Sequence, residues 1–161
     1  MMTYLLVSII ALIAITFIVG LILPKERTFT KTAELKSEIS IVFNLVSDFK
    51  NQAGWRNDIK EIIVIDDSTW TEVPKKGRAI TFKVKKKKEN ELFEIEIIKP
   101  EDFNGYWVGT FKPTIVNGTS AEFKEVIIVS NPFFRTMSYL FVDLDKTMDL
   151  YLKHLKQKLG E

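Results

Sequence analysis

Asp48, Arg56, Asp58, Arg78 and His154 are the side chains in this sequence with the chemistry for acid–base work. A carboxylate or imidazole does such work only where burial or a charged neighbour shifts its pKa inside a cavity. No two of the five stand at a spacing that defines a catalytic pair, so no catalytic residue is assigned. Asp48 follows an apolar segment and suits helix termination equally well. His154 lies about 100° from the centre of an amphipathic stripe. It reads first as a surface histidine near a helix end, where positive charge complements the macrodipole.

Composition closes several other routes. With no cysteine, the chain has no disulfide scaffold, thiol nucleophile or thiolate metal site. One histidine excludes multi-histidine metal motifs, and the carboxylates show no clustered spacing, so neither a metal nor another cofactor is expected. The 23 basic and 21 acidic residues leave a net charge of +2, which gives no reason to expect nucleic acid as a partner. A chain of 161 residues, 46% hydrophobic, suits one domain with a short additional segment.

That segment comes first. Residues 4–23 carry no charge and are rich in Ile, Leu and Val, matching the roughly 20 residues needed to cross a bilayer core. A cleaved signal peptide is the alternative, but it would have a basic start, a shorter apolar run and a small-residue cleavage site. The expected division is a transmembrane anchor over 1–24 and a folded domain over 25–161. Lys25, Arg27, Lys31 and Lys36 follow the span and nothing basic precedes it, which slightly favours a cytoplasmic domain. Pro24 ends the helix and leaves only a short linker, holding the domain near the lipid surface.

The other end predicts one long amphipathic helix over 131–159. Asn131 can cap it and Pro132 suits its first position. Phe134, Met137, Phe141, Leu144, Met148, Leu152, Leu155 and Leu159 recur at three- and four-residue steps, placing them on one stripe. Asp149 and Lys153 have the spacing of an i,i+4 pair, and Gly160 ends the helix. A coiled-coil seam is a second reading, although the mixture of Phe and Met suits it poorly.

Between these ends the sequence alternates strand and turn signals. A strand over 28–35 precedes a helix capped by Ser37 or Ser40, and FKNQAGWRND is a second short helical segment with Trp55 wedged between helix and sheet. Strands follow over 59–65, 69–73 and 78–86, with turns at 66–68 and 74–77. A turn at Glu89-Asn90 would set Phe82 opposite Ile97, Lys83 opposite Glu96, Val84 opposite Ile95 and Lys85 opposite Glu94. The lysine run over 85–88 then reads mainly as a solvated face, leaving Lys86, Lys87 and Lys88 as candidates for lipid headgroups. Another strand carries Phe103, Trp107 and Phe111 on one side with Gly105 and Gly109 between them, an arrangement that leaves room above the sheet. Asn117-Gly118 is a hairpin turn into a last strand over 120–129.

The stretch IVFNLVSDFKNQAGWRNDI, residues 41–59, resembles the START-like helix-grip superfamily (SRPBCC), particularly its polyketide cyclase/dehydrase and lipid-transport branch. The likeness lies in an apolar helix, an aspartate followed by an aromatic, and a tryptophan six residues on. Gly77, Asn117-Gly118-Thr119 and the final helix also look like family positions, and the LPK ending of the anchor is similar to membrane-tethered members. Gln52-Ala53-Gly54 departs from the Trp-Pro pair frequent in the family. The resemblance implies an α+β helix-grip fold, with a curved antiparallel sheet of about seven strands around a long C-terminal helix and two short helices after strand one.

It also implies a cavity between sheet and helix more strongly than any reaction. Trp55, Phe82, Phe93, Trp107, Phe111, Met137, Phe141, Leu144 and Met148 are the candidate lining, with simple core packing as the alternative. The leading expectation is a membrane-tethered, non-covalent binding module for a hydrophobic small molecule or lipid. A cyclase/dehydrase-type enzyme using the same cavity is the second reading, which a buried polar pair facing the pocket would favour. A protein-interaction module without a cavity is the third.

Overall fold

The computed structural model describes residues 2–115 and 117–161. An apolar helix α1 (Met2–Ile22) leads into strand β1 (Glu26–Leu35), helix α2 (Ile39–Ser47) and a 3-10 turn (Phe49–Gly54). Strands β2 (Ile59–Val64), β3 (Thr69–Pro74), β4 (Ile80–Lys88), β5 (Leu92–Lys99), β6 (Asn104–Pro113) and β7 (Thr119–Ile128) follow. Helices α3 (Pro132–Phe141) and α4 (Leu144–Leu159) close the chain.

The strands form one seven-stranded antiparallel sheet in the order β1-β7-β6-β5-β4-β3-β2. Hairpins join β2 through β7 in sequence, whereas α2 and the 3-10 turn carry the chain from β1 to the opposite edge. This is the α+β helix-grip fold. Its interior joins α2, the concave sheet face and α4 through Val42, Phe43, Trp70, Phe93, Phe123 and Leu155, all essentially inaccessible. Phe49 stacks on Trp70 with ring centroids 4.1 Å apart, which fixes the 3-10 turn against β3.

The alternation in β4 and β5 produces the expected register: Phe82 faces Ile97, Lys83 faces Glu96 and Val84 faces Ile95. A bulge between Val84 and Lys86 then sets Lys86, rather than Lys85, opposite Glu94. Lys85 Nζ still reaches Glu94 Oε1 at 3.3 Å. At the tip, Lys88 pairs with Glu91, and Lys87 turns over the Phe43 and Phe93 rings. Two of the three lysines considered for headgroups are therefore engaged within the fold.

The C-terminal segment is two helices rather than one. Val142 and Asp143 are extended, and Asp143 Oδ1 accepts from Lys146 N at 3.1 Å as the N-cap of α4. A local cap thus begins a new helix although no glycine or proline interrupts the stripe. Asn131 caps α3 as expected, accepting from Phe133 N and Phe134 N with Pro132 at the first position. Asp149 pairs with Lys31 of β1 at 3.0 Å instead of Lys153, and Asp145 joins the same lysine at 2.8 Å. At the start of α2, Glu38 rather than either serine occupies the cap position.

Helix α4 packs across the sheet, and Glu161 beyond its end accepts from the Lys36 and Ser37 backbone N–H groups. Helix α3 instead lies against α1. Gly20 meets the Pro132 backbone, the Thr136 hydroxyl donates to Thr16 O at 2.8 Å, and Arg135 donates to Gly20 O at 2.7 Å. Helix α1 itself is long and apolar enough to cross a membrane.

Candidate functional site

A cavity of about 100 Å³ lies between the concave sheet and α4. Phe82, Phe93, Trp107 and Phe123 rise from four successive strands to form its apolar wall, and Met148 and Leu152 of α4 face them. Trp107 stacks on Phe123 with centroids 5.3 Å apart, and the Tyr151 ring meets both edge-on. A side chain at Gly109 would stand 3.0 Å from the rings of Trp107 and Phe111. The room that the glycine leaves is therefore filled by neighbouring aromatics.

The rest of the wall is polar: Gln52, Arg56, Glu72, Glu125 and Tyr151. Arg56 organises it. One guanidinium nitrogen, Nη1, lies 2.9 and 3.1 Å from the two Glu72 carboxylate oxygens and donates to Gln52 Oε1 at 2.8 Å, while Nη2 reaches Asp58 Oδ2 at 2.9 Å. Gln52 in turn donates to Val46 O at 3.0 Å, tying the arginine to the end of α2. Gln52 thus supplies a bracket for Arg56. Burial works against the Arg56 charge, but Glu72 and Asp58 outweigh it, so the guanidinium is held more firmly protonated than usual.

Asp58 shows the same competition. Burial would raise its pKa, yet the charge and hydrogen bond of Arg56 carry it below the ordinary carboxylate range. His154 Nδ1 stands 3.2 Å from Asp58 Oδ1, close enough for attraction but without hydrogen-bond alignment. His154 is only 5% exposed, so the surface reading of this histidine is corrected. Its position on the margin of the α4 stripe turns it toward the loop carrying Asp58.

Glu125 is the exceptional group. It projects from β7 on the same face as Ala121 and Phe123, is partly buried, and lines the cavity. Burial pushes its carboxyl up to about 7. Arg56 opposes that rise, Glu72 adds to it and Arg27 opposes it. Beside it, burial holds the Tyr151 phenol well above its usual range, and its hydroxyl has no hydrogen-bond partner among the described residues. The site therefore joins an aromatic chamber to a fixed ion cluster and to one carboxyl able to gain or lose a proton near neutral pH.

Phe82, Phe93, Trp107 and Met148 line this cavity. Trp55, Phe111 and Leu144 are buried but lie outside its wall, and Trp55 packs edge-on to Tyr151. Met137 and Phe141 belong to α3 and do not reach it, because the helix break separates them from the sheet. Arg56, Asp58 and His154 come together, whereas Asp48 is exposed at the end of α2 and Arg78 pairs with Asp102 at the surface. A wider depression of about 520 Å³ beside the β4–β5 tip is open and flanked by Lys86, Lys88 and Lys112. The cavity under α4 is the better site, since it is the less open of the two and convergent polar groups mark ligand pockets more than volume does.

No protein-family model matches the chain, and no curated protein matches it in sequence. Solved structures do share its fold. A START superfamily protein from Mycobacterium smegmatis has a TM-score of 0.67 at 16% identity, covering 83% of this chain and 97% of its own. The Zhui aromatase/cyclase from Streptomyces sp. R1128 has a TM-score of 0.69 at 8% identity, with 84% and 94% covered. A norcoclaurine synthase point mutant from Thalictrum flavum, in complex with a transition-state analogue, has a TM-score of 0.65 at 9% identity, with 83% and 94% covered. At these identities the likeness establishes the helix-grip fold of START-type proteins, and function rests on the site.

Proposed function

We propose that this chain is a membrane-tethered module that binds a compact hydrophobic molecule carrying one hydrogen-bonding head group. The observation behind this reading is the two-part cavity, aromatic along the sheet and polar where Glu125, Arg56 and Glu72 converge. Apolar burial would provide affinity, while Glu125 would discriminate among head groups by donating when protonated and accepting when ionised. At about 100 Å³ the chamber is smaller than an apolar cavity of about 150 Å³ that accepts benzene. A ring-sized ligand therefore requires the lining side chains to shift, and a lipid chain requires α4 to move outward. Tethering follows from α1 as a spanning helix, and Lys25, Arg27, Lys31 and Lys36 just after it favour a cytoplasmic domain.

Native mass spectrometry of the full chain, released from micelles after purification from a lipid-containing host, tests binding. A bound mass that disappears in Met148→Trp, which fills the chamber, supports the reading. Empty protein throughout, with no thermal stabilisation by extracts of the host, would refute it.

One observation favours a second reading, acid–base chemistry of the cyclase kind. Glu125 holds its proton near neutral pH inside the cavity, as a general acid or base requires. A ligand recovered chemically altered by the wild type but intact from Glu125→Gln would favour this reading over simple binding.

A further inference from the structure

Helix α3 takes no part in the grip between α4 and the sheet. Arg135 is its only charged residue, and it is 2% exposed. Arg135 donates to Val129 O at 2.9 Å, Gly20 O at 2.7 Å, Leu23 O at 3.2 Å and Ser130 O at 2.8 Å. Gly20 O and Leu23 O belong to the C-terminal end of α1, where carbonyls lack donors within their own helix. Arg27 does the same for α3, donating to Ser138 O at 3.0 Å and to Val142 O at 3.2 and 3.3 Å. Protein donors therefore meet carbonyls at the C-terminal ends of both helices.

The outer surface has the opposite character. Phe141 is 79% exposed and Leu140 66%, with Phe134 and Val142 also open. Helix α1 continues this surface with exposed apolar side chains along its length. Saturated polar groups inside and bare apolar groups outside describe a helix pair solvated by hydrocarbon. The small faces in contact, Thr16 and Gly20 against Pro132 and Thr136, permit the close backbone approach that drives helix pairing in lipid.

We infer that α3 is itself a membrane element, lying against α1 at the boundary between headgroups and acyl chains of a phospholipid bilayer. This rests on the proposed spanning role of α1. Pairing of Thr136 with Thr16 places α3 beside the last two turns of α1, within about 9 Å of the end of that helix at 1.5 Å per residue. Interfacial helices bury their apolar faces to about 5–10 Å. Asp143 and Asp145 then mark the exit from lipid, and Thr147 and Met148, which line the cavity, stand in the first turns of α4. The helical wall of the cavity is thus attached to a bilayer-embedded segment.

Because the chain has no cysteine, single substitutions accept a fluorophore uniquely. Full-length Phe141→Cys, Leu140→Cys, Ile10→Cys and Lys153→Cys, each carrying an NBD label, would be reconstituted into phosphatidylcholine–phosphatidylglycerol vesicles. All four positions are exposed in the structure, so the labels disturb no packed core. The expected result is that labels at 140 and 141 behave like the label at 10: quenched by nitroxide lipids, with a several-fold loss of iodide quenching relative to 153. Labels at 140 and 141 that behave like 153, while 10 remains in lipid, would overturn the inference and leave the anchor intact. A label at 10 open to iodide and untouched by nitroxide lipids would overturn both.

Discussion

Replacing Arg56 with methionine is the most direct test of the polar half of the site. The change removes the hydrogen bonds to both Glu72 oxygens, to Asp58 and to Gln52 while keeping much of the side-chain volume. Asp58 can recover hydration because its side chain is 28% exposed, but Glu72, at 10%, cannot. Among the described residues the only other side-chain donor to Glu72 is Trp70 Nε1 at 3.4 Å. Stranding a buried carboxylate in this way costs about 3–5 kcal/mol. That is a loss of roughly 10–20 °C in Tm for a domain of this size. Glu72→Leu alone leaves Arg56 bound to Asp58 and Gln52, and is expected to cost about 1–3 kcal/mol. The double variant R56M/E72L buries no unpaired Glu72 charge, so its cost should fall below the sum of the singles by about 1–3 kcal/mol. Thermal unfolding of the full chain in micelles, followed by near-ultraviolet circular dichroism, measures all four corners of the cycle. Additive costs, or an Arg56→Met loss under about 1 kcal/mol, would refute the picture of Arg56 as the hub of an enclosed cluster.

Glu125 gives a pH signature of definite sign. Its folded-state pKa of about 7 exceeds the unfolded value of 4.5, so the folded protein binds the extra proton and stability from this group falls as pH rises through that window. The drop amounts to about 3 kcal/mol, and Glu125→Gln should remove it from a series of melts between those limits. Asp58, displaced downward, contributes with the opposite sign, losing stability as pH falls through its folded pKa; Asp58→Asn should flatten the acid limb of the same series. Gly105→Ala would drive a methyl into the Val126 carbonyl oxygen across the β6–β7 ladder, and a loss of about 1–3 kcal/mol is expected by the same assay. Asp143→Ala removes the cap that separates α4 from α3 and should cost about 1 kcal/mol, whereas Asp143→Asn should be nearly neutral.

The strands were legible where burial alternates, as in β1 and β5, and in residues 80–84 apolar and polar side chains alternate without exception, so that register follows from the pattern. The aromatic side of the cavity could be read for the same reason, since Phe82, Phe93 and Trp107 fall on inward positions. The polar side was only half visible. Arg56, Asp58 and His154 stand out as chemical types, but their meeting depends on a 3-10 turn, a loop and the far end of α4. Glu72 and Glu125 carried a usable signal that lay in period rather than type. Each is two residues beyond a buried aromatic, Trp70 and Phe123, and therefore occupies an inward position of an alternating strand.

The break in the last helix was hidden by the strength of its own pattern. Phe141, Leu144 and Met148 continue one stripe in sequence, but a stripe records only that a face is apolar and not which neighbour covers it. Up to Phe141 the stripe is largely uncovered, because α3 meets α1 through Pro132, Arg135 and Thr136 on another side, and from Leu144 the stripe packs on the sheet; no straight helix serves both contacts. Asp143 resolves the conflict by capping a new helix at the point where the neighbour changes. The buried Arg135 was the corresponding clue on the other side of the break. A lone guanidinium in the otherwise uncharged seventeen-residue run 126–142 implies a cluster of acceptors, and in this fold the carbonyls at the end of α1 supply two of them.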